Sequence, residues 1–256
     1  MKIIAVVSKT AHILVQLYSL YQVYSEDRTP LHHPYYGEIS EQLYYGYLLE
    51  REGLWEEAFK AVIGLNHSKK VNGVLKKIAK TKVYGWRSIS LFLRRSGRSL
   101  VQVYESKKKD IKALLTSVLG VRRFYSKVYA ILAFSPLRRL VGNPPVYSKD
   151  EEYTIVPLFI GLESTPEKVL DLLVHELLHG LIKLNDLGVS EEEEEEFIDM
   201  LCPEGYLSRE LGLAEKPRIL ESGFSAIVER YFSEKKYYEL TLIDYIKLYR
   251  SNQYLL

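Results

Sequence analysis

The chain has 256 residues, 47% of them hydrophobic and 27% charged, which is a globular composition long enough for one large domain or two small ones and excludes a disordered chain. A single cysteine, Cys202, excludes an internal disulfide framework and a thiolate-cluster metal site. The net charge of +2 conceals a division, because residues 1–149 carry 25 Lys+Arg against 10 Asp+Glu while residues 150–256 carry 10 against 23.

Near the start, Ile3–Val7 is too short for a signal-peptide core, and no small-residue cleavage site is evident. Ala11–Val23 is apolar but contains His12 and Gln16 and falls short of the ~20 residues of a membrane span. A soluble, cytoplasmic protein is expected. Residues 11–24 and 38–64 read as helices, the second with Leu43, Tyr44, Tyr47 and Leu48 at three- and four-residue spacing. Residues 69–82 suit a basic helix, 86–104 suit helix or strand equally, and Lys107–Phe124 is helical, with Ile111, Leu114, Leu115 and Val118 on one face.

Residues 69–127 hold 17 basic and 2 acidic residues. Such a block can hold nucleic acid or an anionic membrane surface. Its aromatic and basic residues are not interleaved as in RNA-binding signatures, so the favoured expectation is charge spread over several solvated faces and partly turned to the acidic C-terminal half. Asn and Gln total 10 and Met and Cys total 3 beside many Lys and Glu, a composition that points to a heat-tolerant (thermophile) source.

Lys127–Phe134 (KVYAILAF) is β-branched and aromatic and reads as a strand that Pro136 ends. Asn143-Pro144-Pro145 is a turn or extended connector. Tyr153–Ile160 (YTIVPLFI) is a second strand, and Pro157, which cannot donate to a ladder, places it at a sheet edge. A helix opens either on Ser164 with Glu167 as a capping box or on Thr165 as N-cap with Pro166 at the first turn. It is apolar nearly all round from Val169 to Ile182, so it must be buried, and Asn185-Asp186 with Gly188 ends it. A helix over about 190–201 follows and stops at Cys202-Pro203-Glu204-Gly205; helices at about 215–232 and 239–250 close the chain.

Inside the buried helix stands His175-Glu176-Leu177-Leu178-His179, an HExxH pattern. Histidines four apart on a helix lie about 40° apart around the axis and ~6 Å along it, so both rings can reach one Zn²⁺. Glu176 then stands beside the open position, where a carboxylate can take a proton from water. Two imidazoles and a carboxylate in an otherwise Leu/Ile/Val helix are costly unless something pairs with them.

A catalytic zinc needs a third protein ligand. The remaining histidines, His12, His32, His33 and His67, all precede the motif, and Ile182 and Asn185 stand where a metzincin extension would place Gly and His. That leaves a carboxylate, most economically in the run Glu191–Glu196 on the next helix. Six like charges usually make a solvated surface, so one or two are expected to face the metal and the rest water.

HELLH followed at short range by a glutamate helix resembles the gluzincin peptidases, whose second motif is Glu-x-x-x-Asp. Glu195-Glu196-Phe197-Ile198-Asp199 fits it, and the short spacing is most similar to the small archaeal minigluzincins, more distantly to membrane-embedded HExxH peptidases. The resemblance covers roughly residues 125–232. It implies an α+β, zincin-like catalytic half with His175, His179 and Glu195 as zinc ligands, and Asp199 behind a ligand histidine. It implies zinc-dependent peptide hydrolysis with Glu176 as general base, and an extended peptide substrate added to the strand at Tyr153, Thr154, Ile155 and Val156. Glu192, Glu196 and Glu221 remain rivals for the third ligand. Where the chain departs is the oxyanion stabiliser: some gluzincins use a downstream histidine and none exists here, leaving Tyr206, Arg209, Arg218, Arg230, Tyr231 or a residue of the N-terminal half, with His32-His33 a loop candidate.

The fold expected is thus a helix-rich α+β protein, with a mostly helical basic region over 1–124 and a catalytic region over 125–256, as two domains or one integrated domain. The alternatives to a zinc metalloendopeptidase are a nucleic-acid-associated HExxH protease using residues 69–127, or a latent or non-catalytic zinc-binding protein of the same fold.

Overall fold

The computed structural model describes residues 1–23, 40–65, 68–135, 141–143, 145–147, 152–218, 220, 223–234 and 239–253. Its architecture is helix-rich α+β around a small mixed sheet. Strands β1 (Lys2–Val6), β2 (Lys127–Phe134) and β5 (Tyr153–Ile160) run parallel, and the two-residue strands β3 (Val141–Gly142) and β4 (Val146–Tyr147) pair antiparallel with the other side of β5. The Ile3–Val7 stretch, too short for a signal peptide, supplies β1: Ile3 pairs with Val128 and Ala5 with Ala130.

Both faces of the sheet are covered, so β2 is buried over nearly its whole length and reads as one apolar run. Ile131, Ala133 and Ile155 face α1 (Lys9–Val23), α3 (Trp55–Val62) and α4 (Lys69–Ile78), beside which α2 (Ser40–Arg51) packs. Ala130, Leu132, Val156, Leu158 and Ile160 face α5 (Trp86–Leu119) and α6 (Pro166–Asn185). β1 precedes residue 125 and β2 follows it, so the sheet and both hydrophobic cores draw residues from either side of that position.

The ambiguous 86–104 stretch belongs to a single 34-residue helix, α5, whose buried Leu93, Gly97, Leu100 and Tyr104 keep helical spacing. Gly97 weakens the helical signal locally, yet it is what lets α5 cross the sheet closely. A Cβ there would lie 2.9 Å from Ala5 Cβ and 3.2 Å from Leu132 Cδ1. The expected helix over 38–64 is broken at Gly53, which has positive φ, into α2 and α3.

α6 uses the second of its two candidate caps. Thr165 Oγ1 accepts from the Lys168 N–H at 3.3 Å with Pro166 in the first turn, while Ser164 Oγ accepts from Gly161 N–H instead. α6 is buried from Val169 through Leu178 and again over Gly180–Ile182. The chain closes with α7 (Glu191–Leu201), the short α8 (Tyr206–Glu210), α9 (Ser225–Glu234) and α10 (Leu242–Gln253).

The basic block is divided between the two faces of the sheet. Lys69, Lys76 and Lys77 stand exposed on α4, and Arg87, Arg94, Arg95 and Arg98 on α5. Lys70 pairs with Glu52, Lys108 lies 3.4 Å from Glu105, and Lys107 Nζ donates to the Leu211 carbonyl at 2.7 Å. Among the described residues no helix is long and apolar enough to cross a membrane.

Candidate metal centre

α6 and α7 pack side by side, and their facing sides bring His175, His179 and Glu195 together. One ligand atom from each lies within 4.8 Å of the others, so the three could hold a metal ion. Glu195 reaches across the helix pair: its Oε1 is 3.5 Å from His175 Nε2 and its Oε2 is 3.2 Å from His179 Nε2. Both rings therefore present Nε2 to one point, and the carboxylate faces that point from the other helix.

The opposite nitrogens are also engaged. His175 Nδ1 lies 2.6 Å from the Cys202 carbonyl oxygen, which can only accept, so Nδ1 carries a proton and in the neutral ring Nε2 is the nitrogen left with the lone pair. His179 Nδ1 lies 2.6 Å from Glu194 Oε1. The expected partner behind a histidine, Asp199, stands 3.7 Å from His175 Nδ1, beyond hydrogen-bond reach, because the Cys202 carbonyl occupies that side of the ring.

Each glutamate of the run has a distinct setting. Glu191 and Glu192 are exposed, Glu193 pairs with Arg250 at 2.8 Å, and Glu196 Oε1 accepts from the Gly223 N–H. Glu194 is buried on His179 and Glu195 meets both rings. Among the described residues, Glu192 and Glu196 do not join the group that His175, His179 and Glu195 form. Glu221, the third rival, and His32, His33 and His67 lie outside the described residues.

Glu176 is 6% exposed, and among the described residues no hydrogen bond reaches its carboxylate. Burial raises its pKa to about 7. Burial pulls His175 down, but the Glu195 carboxylate and Cys202 carbonyl outweigh it and leave the imidazole raised to about 9. His179 is raised in the same way, burial opposing and Glu195 then Glu194 prevailing. The two imidazoles hold Glu195 well below the usual carboxylate range.

The substrate strand needs correction. Tyr153–Val156 is not a sheet edge: β2 pairs with it on one side, and on the other Val146 pairs with Ile155 and Tyr147 with Thr154. Thr154, Ile155 and Val156 are buried. Pro157 does mark a break, but in the cover rather than at the edge. Asn143 N–H donates to the Pro157 carbonyl at 3.1 Å, the proline has no N–H to return, and the covering chain separates there into β3 and β4. The outer strand beside Glu176 is β3. Gly142 faces α6, and a Cβ on it would overlap the Glu176 carboxylate.

Of the oxyanion candidates, Tyr206 stacks on Phe232, Arg209 and Arg230 pair with Glu210 and Glu234, and Tyr231 Oη donates to the Leu240 carbonyl. Arg218 is the one of these whose charge acts on Asp199. Asp199 is raised by burial, lowered by His175, raised by Glu195 and lowered in turn by Arg218.

Comparison of the chain with protein-family models, with curated proteins and with solved structures finds no match.

The reading of the sequence missed Glu194, although a signal was present: residues 194, 197, 198 and 201 form the buried stripe of α7, so a glutamate on that stripe needs a partner. The Cys202 carbonyl had no such signal, being backbone.

Proposed function

We propose that the chain is a zinc metallopeptidase in which His175, His179 and Glu195 hold the ion and Glu176 is the general base. The convergence of two imidazole Nε2 atoms and one carboxylate from two helices carries this reading, with the buried Glu176 carboxylate next to them in sequence. Two histidines and a glutamate are a donor set of catalytic zinc, and the three-residue cluster among the described residues suits a site with an open position better than a closed four-ligand one.

Bound there, zinc would polarise a scissile carbonyl and make a water molecule acidic near neutral pH. Glu176, buried next to the ligand His175, takes the proton of that water and passes it to the leaving amine. His175 and His179 keep Nε2 as an acceptor because Cys202 and Glu194 hold their Nδ1 protons. An extended peptide would lie along the outer edge of β3, where the bare backbone of Gly142 allows approach to Glu176.

Hydrolysis of a peptide library by zinc-loaded protein tests the reading. Wild type should cut, and Glu176→Gln should keep its metal and lose at least ~10²-fold in rate. Turnover that survives Glu176→Gln contradicts the mechanism.

A further inference from the structure

Asp171 stands on α6 one turn before His175, in the otherwise apolar sequence Val169-Leu170-Asp171-Leu172-Leu173. It is 1% exposed. An ionised carboxylate so placed has to have its oxygens satisfied. Both are: Oδ2 accepts from the Glu204 N–H at 2.7 Å, and Oδ1 accepts from Ser208 Oγ at 2.5 Å. Ser208 Oγ in turn accepts from the Gly205 N–H at 3.2 Å. Every one of these partners lies in the segment that leaves α7 and enters α8.

That segment also holds the Cys202 carbonyl, 2.6 Å from His175 Nδ1. The contacts form a closed circuit, from Asp171 on α6 to Glu204 and Ser208, back along the chain to Cys202, across to His175, and down one helical turn to Asp171. Gly205 lies so close to the Met200 and Leu201 carbonyls that no Cβ would fit there. Since α7 ends at Leu201, the same clamp fixes the exit of the helix that carries Glu195 and Glu194.

We propose that Asp171 is a positioning residue for the metal centre: by fastening the 202–208 segment to α6 it sets the carbonyl that orients His175, and the relation of α7 to the two histidines. The inference rests on the metal reading above. Asp171 touches neither metal nor substrate. It acts through Cys202, so its loss should loosen metal binding beyond any general loss of stability.

The test is the zinc Kd, by chelator competition, and the visible spectrum of the cobalt-loaded protein, for wild type, Asp171→Asn, Ser208→Ala and Leu49→Ala. Leu49 is fully buried in the opposite core and controls for destabilisation alone. Thermal unfolding of each metal-free protein is recorded in parallel. Asp171→Asn should weaken zinc by ~10- to 100-fold, Ser208→Ala by a smaller factor, and both should shift the cobalt bands. Leu49→Ala should stay within about two-fold of wild type whatever its melting temperature. If Asp171→Asn does not fold, Ser208→Ala carries the comparison.

Wild-type Kd and spectrum in both site variants, or an equal loss in Leu49→Ala, overturns the proposal. A wild type that binds zinc but cuts no peptide removes the peptidase reading and leaves the Asp171 comparison standing. A wild type that binds no zinc overturns the metal reading and this inference together.

Discussion

Glu194 Oε1 lies 2.6 Å from His179 Nδ1, on the opposite side of that imidazole from Glu195, whose Oε2 is 3.2 Å from Nε2. Consecutive residues of one helix thus hold one ring at both nitrogens. Their exposures separate the roles: the Glu194 side chain is 8% exposed and that of Glu195 67%. A buried carboxylate at Nδ1 fixes the ring's tautomer and makes Nε2 a stronger donor to a metal.

Glu194→Ala should therefore raise the zinc Kd by ~10- to 100-fold, while Glu192→Ala, a change at an exposed position of the same run, should leave it unchanged. Titration of the metal-free proteins measures both. Equal effects of the two variants would make the run a general electrostatic attractor and remove the specific role of Glu194.

A substitution at Gly142 would separate the proposed catalysis from metal binding. Alanine at 142 has to displace the Glu176 carboxylate, because its Cβ would occupy the same space. The three atoms nearest to that Cβ all belong to Glu176. Gly142→Ala is expected to bind zinc as wild type does and to lose at least ~10-fold in kcat/KM, because a displaced Glu176 no longer sits within reach of the proton it has to take. A variant with full activity would show that Glu176 is free to turn elsewhere and that β3 does not border the reacting groups.

The HExxH helix and the acidic helix were legible because their signals are local: helical spacing, an N-cap, a run of glutamates. Glu195 could be placed in register since Asp199 is the only aspartate near the run, yet the residue that fills the role expected of Asp199 is a backbone carbonyl, for which side-chain identity carries no information. The order of the strands was not legible. Pro157 signals a missing donor, and a missing donor occurs equally at an edge and at an interruption between two short covering strands. β1 was overlooked because five residues gain strand character only when β2, more than a hundred positions later, pairs with them. α5 resisted assignment for a similar reason, since Gly97 lowers the local helical signal and its justification is Ala5 across the core.

The burial of His12 predicts a pH dependence of stability separate from the candidate metal centre. It is buried, its Nδ1 accepts from the Phe134 N–H at 3.2 Å at the end of β2, and its ring lies against Trp86 with centroids 5.5 Å apart. Burial lowers its pKa from 6.5 to about 4. The unfolded chain therefore binds more protons between these values, so stability is fully present above about pH 6.5 and is lost as pH falls toward 4. The loss attributable to this group is about 3 kcal/mol at ~1.4 kcal/mol per pKa unit. Urea unfolding at pH 7 and pH 4.5 should show a smaller difference for His12→Asn, whose Oδ1 can still accept from Phe134, than for wild type. An unchanged difference would place the acid sensitivity elsewhere.

The central claim, that His175, His179 and Glu195 form a metal centre, is tested most directly by metal analysis of protein purified without added metal, on wild type and Glu195→Ala side by side. About one zinc per wild-type chain, and clearly less in Glu195→Ala, is the predicted result. A wild-type protein that carries no zinc and takes up none on titration would contradict it.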